Sequence, residues 1–154
     1  MTKAHPLEES PLSSSVAELA HLPRKHLVKL WVKHVGRLPP KAASTSFLLR
    51  AAAYRIQEQQ YGGLKRQDLR LLHKASDPRE VRGNKALMET VGTAIPASEV
   101  SRQLPLAFLA PSIVSAILAG KQSPEITAKA LLRMQDLPIA WNQQRDVLRF
   151  IPNS

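Results

Sequence analysis

Apolar residues recur at helical spacing along most of the chain, and the breaks between them are proline- and glycine-marked. Residues 1–14 (MTKAHPLEESPLSS) carry no such pattern and read as a disordered tail. A helical pattern starts near Ser15, with Leu19, Leu22, Leu27, Leu30, Trp31 and Val35 spaced by three to five. Pro23 suits the first turn of a helix over 23–35, and Gly36 suits its end. Leu38-Pro39-Pro40 must then run extended. Ser44 or Thr45 can cap a second helix over about 46–61. Its stripe is Leu48, Leu49, Ala52, Ala53 and Ile56, and Gly62-Gly63 stops it. A third helix over 65–75 is expected to bury Leu69 and Leu72.

Residues 76–97 interrupt the pattern at Asp77-Pro78, Gly83-Asn84, Gly92 and Pro96, with room for a short helix at 84–91. A module boundary is expected there, between a helical module over 15–75 and a second over 98–151. In the second, Ser98 is expected to cap a helix starting at Glu99. Pro111 opens another helix, with Ile113, Val114, Ile117 and Leu118 on one side and Gly120 at its end. Ser123-Pro124-Glu125 reads as a cap, a first-position proline and a favourable acid, ahead of Ile126, Ala130 and Leu131. Pro138 is expected to open a last helix holding Trp141, Val147 and Leu148. No stretch alternates like a half-buried strand, so the fold class is all-α: two small helical modules, the second resembling a helix-turn-helix bundle.

Charge changes this picture more than composition does. Of 22 Lys/Arg, twelve lie in residues 21–74 against only Glu58 and Asp68, a local +10 that equals the net charge of the whole chain. Clustered positive charge favours a polyanion, whose counterions it releases. Charge alone does not separate DNA from RNA. The absence of Cys excludes disulfides, thiolate zinc sites and a Cys nucleophile. No run of about 18 apolar residues occurs, which argues against a membrane span. The N-terminal residues lack the basic start and apolar stretch of a signal peptide, so a cytoplasmic, nucleoid-associated location is expected.

Two stretches resemble known families. LPRKHLVKLWVKHVGRLPP followed by SFLLRAAAYRIQEQQYGGL resembles a family of small prophage and mobile-element proteins classed as a domain of unknown function. The resemblance is carried by Leu30-Trp31, Gly36 with Pro39-Pro40, Leu48-Leu49-Arg50, Ala53-Tyr54-Arg55 and Gly62-Gly63, within residues 19–75. It implies no activity. The helix, extended proline segment and helix also share the outline of the SAP-like DNA-binding fold, an analogy of shape.

Residues 97–150 resemble the helical C-terminal segment of large serine site-specific recombinases. The marks include Leu106-Ala107-Phe108-Leu109-Ala110-Pro111, Gly120-Lys121-Gln122, Leu137-Pro138, Trp141, Gln144-Arg145 and Leu148-Arg149-Phe150. The stretch is also similar to the helix-turn-helix region of ParB/KorB partition proteins. That likeness implies a recognition helix at Ser98–Leu104, with Ser98, Ser101, Arg102 and Gln103 facing bases or phosphates. Its preceding helix would have to come from 84–92. The resemblance does not extend to catalysis, because a serine recombinase needs a separate catalytic domain.

Other chemistry is not supported. His21, His26 and His34 lack the three or four well-placed ligands zinc needs, and solvated or phosphate-facing histidines account for them better. Gly62-Gly63 is not followed by Lys-Ser/Thr, so it is a helix stop and not a phosphate loop. Paired carboxylates are absent from the basic segment, and no Ser-His-Asp order has supporting context. The expectation is a protein without catalytic activity, cofactor or metal.

The positive finding is a basic stripe. Lys25, Lys29 and Lys33 are four apart and line one helix face, where their mutual repulsion costs a few tenths of a kcal/mol per pair. Phosphates would relieve it; the competing reading is a solvated face opposite Leu27, Leu30 and Trp31. Trp31, Tyr54 and Trp141 read as core and not as base-stacking platforms. The expected DNA-binding residues are Arg24, Lys25, Lys29, Lys33, Arg50, Arg55, Lys65, Arg66, Arg70, Ser98, Ser101, Arg102, Gln103 and Lys121. Two functions follow from these features. One is a DNA-binding accessory protein of a phage or mobile element, which contacts double-stranded DNA mainly through phosphates and assists or regulates recombination. The other is an adaptor that binds serine recombinase subunits or self-associates as a homodimer through its near-neutral C-terminal module.

Overall fold

The structure is a computed structural model that describes residues 16–77, 97–134 and 136–149. Among these residues it is all helical, with no strand. The helices are α1 (Arg24–Val35), α2 (Thr45–Tyr61), α3 (Arg66–Ala75), α4 (Ala97–Gln103), α5 (Pro111–Leu118), α6 (Ala128–Arg133) and α7 (Trp141–Val147), with a 3₁₀ segment at Leu104–Phe108. By contacts the chain divides into two compact units, Met1–Gln60 and Tyr61–Ser154. The expected tail (1–14) and the short helix at 84–91 lie outside the described residues.

In the first unit a helical turn at 16–19 precedes α1. Pro23 sits at the N-cap, where its missing N–H costs nothing. Gly36 ends α1 in the left-handed region (φ +76°), and its N–H bonds the Val32 carbonyl at 2.9 Å. Residues 38–40 carry no helical or strand structure, in line with the two prolines. Ser44 caps α2, its Oγ accepting the Phe47 N–H at 3.1 Å. The core is Val16, Leu19, Leu27, Leu48 and Ala51–Ala53. Trp31 on α1 and Phe47 on α2 lie 5.4 Å apart between ring centroids, tilted by 44°. The small side chains of the Ala51–Ala53 run are all buried.

The second unit holds α3 to α7. The sequence groups α3 with the first two helices, whereas in the structure it packs against α5. Ser115 Oγ on α5 donates to Asp68 Oδ2 on α3 at 2.5 Å. Asp68 is the buried residue of α3, while Leu69 is 41% exposed, contrary to the expected burial of Leu69. A short polar side chain with a matching donor has taken the inward position, which costs less than an unpaired buried carboxylate.

The unit's core is Leu109, Ala110, Ile113, Leu137, Ala140, Trp141 and Leu148. Gln144, fully buried, ties three backbone segments together. Its Oε1 accepts the Ala110 N–H at 2.8 Å, and its Nε2 donates to Pro138 O at 2.8 Å and Phe108 O at 3.1 Å.

Three helix starts differ from expectation. Helix α4 begins at Ala97, so Ser98 lies inside it and does not cap it. Ser123-Pro124-Glu125 forms a turn, closed by Ile126 N–H to Ser123 O at 2.9 Å, with proline at the favoured second position. The helix follows one turn later, capped by Thr127, whose Oγ1 accepts the Ala130 N–H at 3.1 Å. Pro138 does not open the last helix, which begins at Trp141; its carbonyl is used by Gln144. Pro111 does open α5, and Gly120 follows it with φ +66°.

Candidate nucleic-acid interface

On α1 the buried position is Leu27, and the half-buried Leu30, Trp31 and His34 cluster around it. At 100° per residue, Lys25, Lys29 and Lys33 fall on the opposite side. All three are exposed, as is Arg24. Among the described residues none of these four side chains makes an ion pair. The first turn of α1 contains no acidic residue, and its last turn adds Lys33 and His34. The lysine face is therefore an uncompensated row of ammonium groups on a helix fixed from behind by its apolar side.

Helix α2 contributes differently. Arg55 pairs with Glu58 one turn on, so its guanidinium is already partly neutralised. Arg50 is half-buried and engaged within the protein. Burial, followed by the negative charge of Glu58, raises the Tyr54 hydroxyl above its ordinary value of 10.0. Tyr54 thus serves as an inward, neutral residue. His34 Nδ1 faces Gln59 Nε2 at 3.4 Å, a contact linking α1 to α2; His21 and His26 are exposed. Among the described residues no group of three or more His, Asp or Glu could hold a metal ion.

Lys65, Arg66 and Arg70 belong to the second unit, where they are exposed along α3 and its N-cap. Ser98, Ser101, Arg102 and Gln103 are exposed on α4, a helix of seven residues that runs straight into the 3₁₀ segment containing Pro105. Ser98, Ser101 and Arg102 line one shallow cavity of about 270 Å³ with Pro105. Residues 84–92, expected to supply the helix before α4 in a helix-turn-helix, lie outside the described residues. Lys121 is exposed after α5.

Arg37 and Lys41 were not singled out from the sequence, though both are exposed in the Gly-Arg-Leu-Pro-Pro-Lys connection that follows α1. They lacked a periodic pattern, but they belong to the same basic segment. No single described helix is long and apolar enough to cross a membrane.

These features define an all-α protein with a lysine-faced helix in its first unit. Residues 13–103 match the family described as "Protein of unknown function (DUF2924)", which covers more than half of the chain, and the protein belongs to that family. Neither the curated proteins nor the solved structures contain a match to this chain.

Proposed function

We propose that the protein binds double-stranded DNA, chiefly through phosphates, with the Arg24/Lys25/Lys29/Lys33 face of α1 as the principal contact. The observation that carries this reading is the unpaired lysine row itself. Three ammonium groups one turn apart repel each other in the free protein, and a phosphate backbone both relieves that repulsion and releases its own counterions. Arg37 and Lys41 extend the basic surface past the end of the helix. Arg50 and Arg55 contribute less, because Arg50 is half-buried and engaged within the protein and the Arg55 guanidinium is paired with Glu58. Lys65, Arg66, Arg70 and Lys121 are secondary phosphate contacts of the second unit. Ser98, Ser101, Arg102 and Gln103 supply positioning and weak sequence preference.

A nucleoid-associated role in recombination, as an accessory of a phage or mobile element, is the finer form of this proposal. It rests on the recombinase-like stretch over residues 97–150. Co-elution with a serine recombinase at micromolar concentration supports that finer form, and its absence removes it without touching DNA binding.

The test is a gel-shift titration of the full chain with random-sequence duplex DNA at two salt concentrations. The expected result is binding at low salt that weakens by about tenfold or more at the higher salt. The Lys25/Lys29/Lys33→Ala variant should lose most of this binding while keeping its helical circular dichroism. Absence of binding at low salt, or equal binding by the variant, overturns the proposal.

A further inference from the structure

The second unit contains a cavity of about 350 Å³, a volume within the range of small-molecule sites. Its wall combines Lys65 at the N-cap of α3, Arg145 on α7, Ser112 and Ser115 on α5, and the aromatic pair Tyr61 and Trp141. Among the described residues both charged side chains lining it are cations, and the nearest named carboxylate, Asp68, stands behind Ser115 and is hydrogen-bonded to it. A cleft lined by charge of one sign concentrates the opposite charge within it.

The remainder of the wall has the properties of a ring platform. Trp141 is buried (3% exposed) and backs Tyr61, their ring centroids 6.3 Å apart. Tyr61 is 57% exposed and lines the cavity with Trp141 beside it. Gly62 has φ +85°, and a Cβ at that position would meet nothing within 4 Å, so the chain turns there beside open space. Ser115 adds a direction to the polar groups. Its hydroxyl proton is committed to Asp68 Oδ2, which leaves lone pairs as what it can offer to a ligand.

We propose that this cavity binds a nucleotide, with the phosphate held by Lys65 and Arg145 and the base stacked on Tyr61. Ser115 accepts a hydrogen bond from a donor on the base, which favours a base with an exocyclic amine. The site differs from a phosphate loop, since Gly62-Gly63 follows a helix and leads to Leu64-Lys65 without a Lys-Ser/Thr pair. The same chemistry is available from a free nucleotide or from one unit of a single strand. The proposal does not rest on the α1 surface, which lies in the other unit.

Isothermal titration of the full chain with 5′-AMP, adenosine, inorganic phosphate and an oligo(dA) strand tests it. The expected result is saturable binding of 5′-AMP, tighter than that of adenosine and of phosphate. Lys65→Ala combined with Arg145→Ala should weaken it by about tenfold or more, and Tyr61→Ala by about tenfold. Tyr61→Phe should bind as the parent does, and circular dichroism checks that each variant is folded. The Lys25/Lys29/Lys33→Ala variant should keep its 5′-AMP affinity, which separates this site from the α1 reading. Oligo(dA) binding no tighter than 5′-AMP assigns the free nucleotide as the source; tighter binding that the same cavity variants abolish assigns the strand. No binding of either up to about 1 mM, or binding unchanged in the folded Lys65/Arg145 variant, overturns the proposal.

Discussion

Two side chains show how single residues set the stability of their units. Gln144 is fully buried, and both ends of its amide are used, one accepting from Ala110 and the other donating to Phe108 and Pro138. Alanine at this position would leave one backbone donor and two acceptors in the core without that partner. At about 1–3 kcal/mol per orphaned group, and with water relieving some of it, Gln144→Ala should cost about 3 kcal/mol in a denaturant titration. Gln144→Glu should cost nearly as much, because an ionised carboxylate cannot donate to the two carbonyls. Tyr54 gives the first unit a pH dependence. Its folded pKa lies above the ordinary 10.0 because burial disfavours the phenolate, so the folded state holds the proton more tightly than the unfolded state. Its contribution to stability is therefore complete below pH 10 and is lost as pH rises through the folded value. Thermal melts followed from pH 9 to pH 11 should fall more steeply for the parent than for Tyr54→Phe. Equal slopes would remove Tyr54 as the cause.

At the scale of elements, what could be read from the sequence divides by whether a signal had one structural use or two. Pro23 before α1, Gly36 after it, Ser44 before α2 and Gly62 after it each sit where the pattern put them. Each is a stop or start signal with few alternatives: a positive φ calls for glycine, and a proline without an N–H belongs outside the hydrogen-bond ladder. Ser123-Pro124-Glu125 failed as a helix start because serine, proline and acid suit a tight turn equally well, and Thr127 supplies the cap of the helix that follows. The burial of Asp68 in place of Leu69 was invisible for a related reason. The donor that makes it affordable, Ser115, is 47 residues away on α5. Of the candidate interface, the lysine row of α1 was legible because its spacing is periodic. The pairing of Arg55 with Glu58 was legible in their three-residue spacing on one helix, whereas the engagement of Arg50 has no such spacing signal. The caps also yield a direct test. Gly36→Ala places a Cβ at φ +76° with no clash to relieve or worsen it, so backbone strain alone should cost about 1 kcal/mol. Ser44→Ala removes the cap of α2 and should cost about the same. Chemical denaturation of both variants measures these losses, and a cost near zero for either would mean that the helix end contributes nothing to the unit's stability.

For the whole molecule, the decisive property is where the charge lies and whether it is already spent. The net charge of +10 predicts attraction to any polyanion, but it does not identify which cations make contact. Salt dependence does, because each phosphate neutralised contributes about −0.9 to the slope of log affinity against log salt on duplex DNA. If Lys25, Lys29 and Lys33 each cover one phosphate, replacing all three with Ala should make the slope shallower by about 2.7. Arg55→Ala should leave the slope nearly unchanged, since the Arg55 charge is paired with Glu58 in the free protein. Lys65→Ala with Arg66→Ala and Arg70→Ala removes as many charges from α3, so the total charge lost equals that of the α1 variant. A diffuse, non-specific field would lower the slope equally in these two triple variants. A contact surface on α1 would lower it mainly in the first. Binding isotherms measured at four or more salt concentrations distinguish the outcomes, and equal slopes would assign DNA affinity to overall charge and withdraw the α1 face as its site.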